Sequence, residues 1–128
     1  MVYKGQDFGL YSSDDKSKLG TETALDTPTG QVSPDIMLDY VGNIWEIDVE
    51  DSAFDAVLCT EVFEHIPFPI ETVQEFARIV KPGGTLILIT PSNFLRHMDP
   101  YFFYSGFSDR WFEKFLAESG FEIETIEP

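Results

Sequence analysis

The hydrophobic and polar positions of the chain follow two periods, and each period predicts a different element. Residues 54–60 (FDAVLCT) and 85–90 (TLILIT) have apolar side chains at both odd and even positions, which is typical of strands buried on both faces of a sheet. Between them, residues 69–80 (PIETVQEFARIV) place apolar side chains at three- and four-residue spacings, which predicts a helix with Pro69 in its first turn. The segment KPGG is expected to end that helix in a reversal, because proline cannot continue the hydrogen-bond ladder.

The amino-terminal part is predicted to be mostly irregular. Residues 2–6 favour a short strand that ends at Asp7, and residues 35–41 (DIMLDYV) favour a second strand that ends at Gly42. Residues 9–34 are rich in Ser, Thr, Asp and Gly and have no usable period, so we expect a long polar surface loop there.

The carboxyl-terminal part combines an irregular aromatic segment with one more helix. Residues 91–107 (PSNFLRHMDPYFFYSGF) have no clear period, and we expect them to form an aromatic loop. Ser108 is placed to cap a helix that runs through Ser119 and ends at Gly120. Residues 121–126 then alternate apolar and acidic side chains, which predicts an edge strand.

Strands that alternate with helices, and central strands that are apolar throughout, predict an α/β fold with a mostly parallel sheet. At 128 residues and 43% hydrophobic, the chain is long enough for one core and too short for two, so residues 1–128 are interpreted as a single domain. Ligands of such sheets bind beyond the carboxyl ends of the strands. Thr60 and Glu61 stand at one such end, with Glu64 and His65 close behind, so the sequence predicts a functional site there.

The charge of the chain limits its partners. Acidic residues outnumber basic residues by 23 to 8, which gives a net charge of −15 and disfavours binding to nucleic acid and to anionic membrane surfaces. No apolar run approaches the length of a membrane-spanning helix, and the start MVYKGQDFGL is too polar for a signal peptide. We therefore expect a cytoplasmic protein.

Cysteine and histidine usage favours neither a disulfide nor a metal centre. The single cysteine, Cys59, excludes an internal disulfide and a cysteine metal cluster, and it is interpreted as a small buried hydrophobic residue. The two histidines, His65 and His97, have no close ligand spacing along the sequence. No zinc site is therefore expected.

Four blocks occur in order along the chain: DSAFDAV, EVFEHI, ARIVKPGGTLIL and ESGFEI. This series, within residues 35–128, resembles the carboxyl-terminal half of class I S-adenosylmethionine-dependent methyltransferases of the type 11 kind. The resemblance implies a Rossmann-like sheet and methyl transfer from S-adenosylmethionine to a small-molecule acceptor. The segment HMDPYFFYSGFSDRWFEKFLAESGFEI is similar to members that act in cell-envelope or polysaccharide biosynthesis, which implies a sugar or envelope acceptor.

One part of the family pattern is missing. The family opens with a strand and a glycine-rich loop of the form D-x-G-x-G-x-G, whereas YKGQDF resembles the family's second strand and GFEIETIEP its sixth. The resemblance therefore implies a truncated domain with strands 2 to 6 of the family fold. In the family, the first and last strands lie between other strands of the sheet, so their absence would leave gaps with open strand edges. We expect either that the remaining strands pair directly or that a second copy of the chain fills the gaps in a homodimer.

The resemblance also assigns cofactor-binding roles to individual residues. Asp7 matches the acidic residue that binds the ribose hydroxyls, and Asn43, with Ile44 beside it, stands where the family contacts adenine. Thr60 would face the methionine end and the methyl group. Asp7 and Asn43 are equally compatible with ordinary turn positions beside glycine, and the sequence leaves both alternatives open.

Glu61 and His65 are the candidate catalytic residues. They are four positions apart, so on one helical turn they would share a face and could pair. Histidine suits a general base that deprotonates a hydroxyl or amine acceptor near neutral pH. The alternative is that His65 pairs with Glu61 and does not touch the substrate.

Two aromatic residues of the irregular segment, Tyr101 and Tyr104, are the candidate substrate residues, because a lid of aromatic rings would exclude water and face a cationic centre. The alternative is an aromatic cluster that packs under the last helix. A second function also stays open: a non-catalytic remnant of the methyltransferase fold, or a dimerisation module, that cannot bind the cofactor. The missing glycine-rich loop favours this alternative.

Overall fold

The computed structural model describes residues 8–11 and 43–127. The strands predicted at 2–6 and 35–41, most of the loop predicted at 9–34, and Asp7 lie outside these residues. The described elements, in chain order, are strand β1 (Phe8–Tyr11), strand β2 (Phe54–Thr60), a 3-10 turn (Phe63–His65), helix α1 (Pro69–Ile79), strand β3 (Val80–Ile89) and helix α2 (Asp109–Glu118).

The three strands form one sheet in the order β1-β2-β3. β2 and β3 are parallel, with α1 as the connection between them, which confirms the predicted α/β fold. β1 lies on the other edge of β2 and is antiparallel to it, with Phe8 opposite Cys59 and Tyr11 opposite Ala56. The interpretation of residues 9–11 as loop is therefore wrong. Their backbone pairs with the free edge of β2, whose N–H and C=O groups need hydrogen-bond partners.

Helix α1 forms where the apolar stripe predicts it. Pro69 occupies the first turn, and the Thr72 hydroxyl donates to the carbonyl of Phe68 over 2.8 Å. The buried face of the helix carries Val73, Phe76 and Ile79. These side chains belong to a core that also contains residues of β2 and of the 3-10 turn. The buried apolar residues of this core are Ile44, Phe54, Val57, Cys59, Val62, Phe63, Ile66, Val73, Phe76, Ile79, Val80 and Phe107.

The KPGG segment does not separate the helix from the strand as expected. The chain enters β3 directly at Val80, and the register slips between the pairs Phe54–Val80 and Ala56–Thr85. KPGG is therefore an irregularity within β3, opposite Asp55, where Lys81 forms an ion pair over 3.1 Å. The prediction of a reversal is wrong. Proline and glycine occur in β-bulges as well as in turns, and the sequence alone does not show that this segment pairs with β2.

Gly84 is the position in this bulge that tolerates no side chain. A Cβ atom there would lie 2.7 Å from the Asp55 carbonyl oxygen and 2.7 Å from Val80 Cγ2. We expect Gly84→Ala to lower the free energy of unfolding by about 2–3 kcal/mol, measured by urea denaturation. The control is Gly83→Ala, whose Cβ atom would meet no atom within 4 Å. Only the positive φ of 79° at this position disfavours alanine, so we expect a loss of about 1 kcal/mol in the free energy of unfolding. Equal losses in the two variants would contradict this account of the bulge.

The prediction that β3 is buried on both faces is wrong. Leu86 and Leu88 pack against the core, whereas Ile87 and Ile89 are 50% and 53% exposed. Successive side chains of a strand point to opposite faces, and α1 covers only the face that carries the leucines. In the central strand, Cys59 is fully buried as predicted, and burial raises the pKa of its thiol well above the ordinary value.

Helix α2 confirms the predicted caps. The Ser108 side chain accepts a hydrogen bond from the Trp111 amide over 3.3 Å, and the helix ends at Glu118, with Ser119 as its C-cap and Gly120 at a positive φ of 94°. The edge strand predicted at 121–126 is wrong, because that segment has no neighbouring strand with which to pair among the residues described. Neither α1 nor α2 combines the length and apolarity that would let a described helix cross a bilayer.

Candidate functional site

The site predicted at the carboxyl end of β2 lies at the edge where both parallel strands finish. Thr60 pairs in register with Ile89, the last residue of β3, and the Glu61 amide donates to the Ile89 carbonyl over 2.8 Å. The turn after β2 and the irregular segment after β3 therefore leave the sheet side by side. Loops at this edge form the ligand sites of parallel α/β sheets.

Glu61 has an unusual backbone conformation. Its φ of 49° lies in the left-handed region, where residues other than glycine are uncommon and often belong to functional sites. The 3-10 turn begins only at Phe63, so the single helical turn expected to join Glu61 to His65 does not form. The Glu61 side chain is half-buried at the end of β2, beside Thr60.

Glu64 and His65, three and four positions after Glu61, hold the aromatic segment. His65 Nδ1 lies 2.6 Å from the Tyr101 carbonyl oxygen, and the Glu64 carbonyl accepts from the amides of Phe103 (2.9 Å) and Tyr104 (3.2 Å). Three hydrogen bonds thus fix residues 101–104 against the turn after β2. The side chains of Tyr101 and Tyr104 are 37% and 36% exposed, so they remain accessible at this edge.

The same irregular segment is closed on itself. The Phe107 amide donates to the Pro91 carbonyl over 3.1 Å, and the Phe94 amide donates to the Ser105 carbonyl over 2.6 Å. The predicted lack of helix and strand in residues 91–107 is confirmed. Its last aromatic ring, Phe107, packs edge-on against Phe63 and Trp111. The alternative of an aromatic cluster under the last helix therefore applies to Phe107 and to Tyr104, whose ring centroid lies 5.2 Å from that of Phe107. Tyr101 is 37% exposed.

Burial sets the protonation of Glu64 and His65, which are each only 1% exposed. Burial raises the pKa of the Glu64 carboxyl, and the charge of Glu61 acts in the same direction. Burial also lowers the pKa of His65, although its hydrogen bond to the Tyr101 carbonyl opposes this shift. His65 is therefore a neutral imidazole near neutral pH, with Nε2 lying 3.7 Å from Glu64 Oε1.

The fold brings His97 to the same place. Its ring lies edge-on to that of His65 with 4.9 Å between the centroids, and Glu64, His65 and His97 each offer a ligand atom within 4.8 Å of the others. The spacing argument against a metal site therefore does not apply in the folded chain. Sequence reasoning missed this cluster because residues 91–107 fold back onto the turn through backbone hydrogen bonds, which leave no local pattern.

Asn43 and Ile44 lie in a separate tight turn. The Glu46 amide donates to the Asn43 carbonyl over 3.1 Å, so Asn43 does occupy a turn position, and its side chain is half-buried. Ile44 is buried in the core. The turn itself therefore leaves Asn43, and not Ile44, accessible to a ligand.

Two residues of α1 fix the segment that follows this turn, and the sequence analysis did not single them out. Glu75 Oε1 accepts from the Ile47 amide over 2.6 Å, and Arg78 donates to the carbonyls of Ile47 and Val49 over 2.8 Å each. Arg78 also forms ion pairs with Glu75 and Asp51 at 2.8 Å. The signal available in the sequence was a glutamate on the apolar face of α1 with an arginine three positions later.

Comparison with known proteins gives consistent matches. A sequence model of the family described as "Methyltransferase domain" matches residues 15–88. The chain is similar to the ubiquinone biosynthesis O-methyltransferase of Xanthomonas campestris pv. campestris, with 40% identity over 57 residues, which cover 43% of this chain and 24% of that protein. The protein of the same name in Alkalilimnicola ehrlichii is 49% identical over 43 residues, which cover 34% of this chain and 17% of that protein.

Among solved structures, the chain is similar to one described as a methyltransferase from Bacillus halodurans C-125. The TM-score is 0.57 at 26% identity, and the match covers 69% of this chain and 47% of that chain. The chain thus spans about half of this solved structure, and its match spans about a quarter of the Xanthomonas relative.

Proposed function

Because the chain belongs to the class I S-adenosylmethionine-dependent methyltransferase family, we propose that it transfers a methyl group from S-adenosylmethionine to a hydroxyl group of a small molecule. The observation that carries this proposal is the shared carboxyl edge of β2 and β3. There Thr60 and the strained Glu61 stand beside an aromatic segment held by three hydrogen bonds. The net charge of −15 also favours a small acceptor over a nucleic acid.

The polar groups at this edge and at the Asn43 turn fit the chemical groups of S-adenosylmethionine. The half-buried Thr60 offers a hydroxyl to the amino-acid end, and the half-buried Asn43 amide can accept from an adenine amine. Ile44 supports the Asn43 turn from the core, and Asp7 is proposed to bind the ribose. The cofactor supplies a methyl group on a sulfonium, which an oxygen nucleophile displaces in line.

The protein's own task is to position the acceptor and to receive its proton. Most of the rate enhancement of an in-line displacement comes from holding the reacting atoms close and aligned. We propose that Tyr101 and Tyr104 shape the acceptor site and exclude water, and that Glu61 receives the hydroxyl proton. His65 is fully buried and donates to the Tyr101 carbonyl, so we assign it the positioning of the aromatic segment in place of the general-base role considered from the sequence.

The class of acceptor follows from two lines of support. The curated relatives are named as O-methyltransferases of ubiquinone biosynthesis, which supports an oxygen acceptor. The exposed rings of Tyr101 and Tyr104 can stack on a planar aromatic acceptor. We therefore propose an aromatic hydroxyl, with the sugar or envelope acceptor suggested by the sequence as the competing substrate in the same assay.

The test is methyl transfer from isotopically labelled S-adenosylmethionine to a catechol and to a sugar nucleotide, with the products identified by mass spectrometry. We expect labelled methyl ether from the catechol. Glu61→Gln should lower kcat by about 100-fold or more, because it removes the proton acceptor. Glu71→Gln, an exposed carboxylate on α1, is the matched control and should leave kcat unchanged. Equal kcat values for Glu61→Gln and the unmodified chain would contradict the role of Glu61.

A second candidate function is a non-catalytic module that associates with a second copy of the chain. The exposed Ile87 and Ile89 on β3, which is an edge strand of the described sheet, support this alternative. Analytical ultracentrifugation distinguishes the two candidates. A monomer that methylates catechol supports the enzyme, whereas a dimer that Ile87→Lys dissociates and that yields no methylated product supports the module.

A further inference from the structure

Three side chains from two separate segments, two of them buried and one half-buried, meet in a cluster at the turn after β2. Glu64 and His65 come from the 3-10 turn and His97 from the aromatic segment, and their ligand atoms all lie within 4.8 Å of one another. We propose that Glu64, His65 and His97 bind a divalent transition-metal cation of the zinc type. This inference concerns the chain's own side chains and does not rest on methyl transfer.

The hydrogen bonds of both histidines prepare them as ligands. His65 Nδ1 lies 2.6 Å from the Tyr101 carbonyl oxygen, and His97 Nδ1 lies 2.9 Å from the Leu95 carbonyl oxygen. A carbonyl oxygen only accepts, so each Nδ1 carries the proton and each Nε2 keeps its lone pair. Metal-binding histidines commonly have this arrangement, in which a backbone carbonyl orients the ring and fixes its tautomer.

The carboxylate of Glu64 provides the second, independent observation. Its Oε2 atom is buried and accepts no hydrogen bond from the described part of the chain. A buried carboxylate oxygen without a donor is costly, and such atoms are rare in native proteins. A cation bound by the Glu64 carboxylate would supply the missing interaction.

The geometry of the cluster is close to that of a four-coordinate site. Zinc bonds of about 2.0 Å to nitrogen and oxygen place neighbouring ligand atoms about 3.3 Å apart. The Nε2 of His65 and Oε1 of Glu64 are 3.7 Å apart, and all ligand atoms lie within 4.8 Å of one another, so His97 has to approach by at most about 1.5 Å. His97 lies on an irregular segment, which can make this movement without breaking a helix or strand.

The type of ligand selects the metal. Two imidazole nitrogens and one carboxylate suit zinc and its neighbours, whereas magnesium and calcium prefer oxygen ligands alone. Three protein ligands leave a fourth position for water or another small ligand. Bound metal would connect the aromatic segment to the turn through side chains, in addition to the backbone hydrogen bonds at Glu64 and His65.

The experiment is a titration of the untagged, metal-free chain with Co²⁺, followed by visible absorption and then by displacement with Zn²⁺. We expect one Co²⁺ per chain with the intense visible band of a four-coordinate site, and loss of that band when Zn²⁺ is added. His97→Ala should weaken Co²⁺ binding at least about tenfold and abolish the band, because it removes one of only two histidines. His97 is half-buried on an irregular segment, so circular dichroism of this variant should remain that of the folded chain.

The control addresses binding to the many surface carboxylates. Glu113→Gln removes an exposed carboxylate from α2, far along the chain from the cluster, and should leave both the band and the affinity unchanged. Glu64→Gln is the second test variant and should also weaken binding. Absence of the visible band, or a band that survives unchanged in folded His97→Ala, would overturn the proposal and assign the binding to surface carboxylates.

Discussion

Replacing Phe63 by alanine is expected to lower the free energy of unfolding by about 3–5 kcal/mol. Phe63 is fully buried in the turn after β2, and its ring contacts three others: Phe76 of α1 at 6.2 Å, Phe107 at 5.6 Å and Trp111 of α2 at 6.0 Å between centroids. Replacing the ring by a methyl group therefore loses the favourable free energy of burying it and leaves a cavity where these three parts of the chain meet.

The loss is large compared with the roughly 5–15 kcal/mol by which domains are usually stable. Urea denaturation followed by tryptophan fluorescence measures it, because Trp111 reports on this cluster directly. The matched control is Phe103→Ala, whose ring is 45% exposed in the aromatic segment, and which should change stability by about 0.5 kcal/mol or less. A similar loss in both variants would show that Phe63 is not the centre of the core.

Arg78→Ala is the second change with a large expected effect. Arg78 donates to the carbonyls of Ile47 and Val49 and pairs with Glu75 and Asp51, so its removal leaves the nearly buried Glu75 carboxylate without its cation. Removing one partner of a fully buried pair costs about 3–5 kcal/mol, and we expect about 2–4 kcal/mol here because the Arg78 side chain is 32% exposed.

The control for Arg78→Ala is Arg110→Ala. Arg110 pairs with Glu113 on α2 over 2.7 Å, but both side chains are exposed, and such surface pairs contribute little. Its removal should leave the urea midpoint unchanged within error. Since Arg78 also fixes the segment after Asn43, Arg78→Ala should weaken S-adenosylhomocysteine binding, whereas Arg110→Ala should not. Equal stability of the two variants would contradict the role of Arg78.

The same interaction predicts a pH dependence. Burial alone would raise the pKa of Glu75, but the hydrogen bonds from Arg78 and from the Ile47 amide outweigh it, and the pKa is lowered from its ordinary value of 4.5. A lowered pKa in the folded state means that the unfolded chain binds the proton more readily. The stabilisation from Glu75 is therefore complete above pH 4.5 and is lost as the pH falls through the folded-state pKa.

Glu75→Gln removes this titration, so its stability difference from the unmodified chain should shrink as the pH is lowered below 4.5. Denaturant unfolding at a series of pH values measures the difference. A stability difference that stays constant from neutral pH into this acid range would contradict the lowered pKa.

Local chemistry explains which elements the sequence predicted correctly. Strand β2 is central and hydrogen-bonded on both sides, so its apolar run gives its bounds directly. Helix α1 has one apolar stripe and a proline at its start, and α2 has a serine cap at Ser108 and a glycine stop at Gly120. In each case the signal lies within the element itself.

The incorrect predictions share the opposite property, because each depended on a neighbour distant in sequence. KPGG becomes a bulge only through its pairing with β2, and residues 121–126 have no neighbouring strand within the described ranges, 8–11 and 43–127. Ile87 is exposed because none of the described elements covers that face of β3. His97 joins Glu64 and His65 because the aromatic segment folds back onto the turn. Sequence periodicity carries no information on any of these contacts.

The measurement that tests the central claim most directly is a titration of S-adenosylhomocysteine into the isotopically labelled chain, followed by amide NMR shifts and calorimetry. We expect saturable binding in the micromolar range, with shifts at Asn43 and Ile44 and at Thr60 and Glu61, while the amides of α2 remain unchanged. The absence of both heat and shifts in a chain whose spectrum shows it to be folded would contradict cofactor binding at the carboxyl edge of β2.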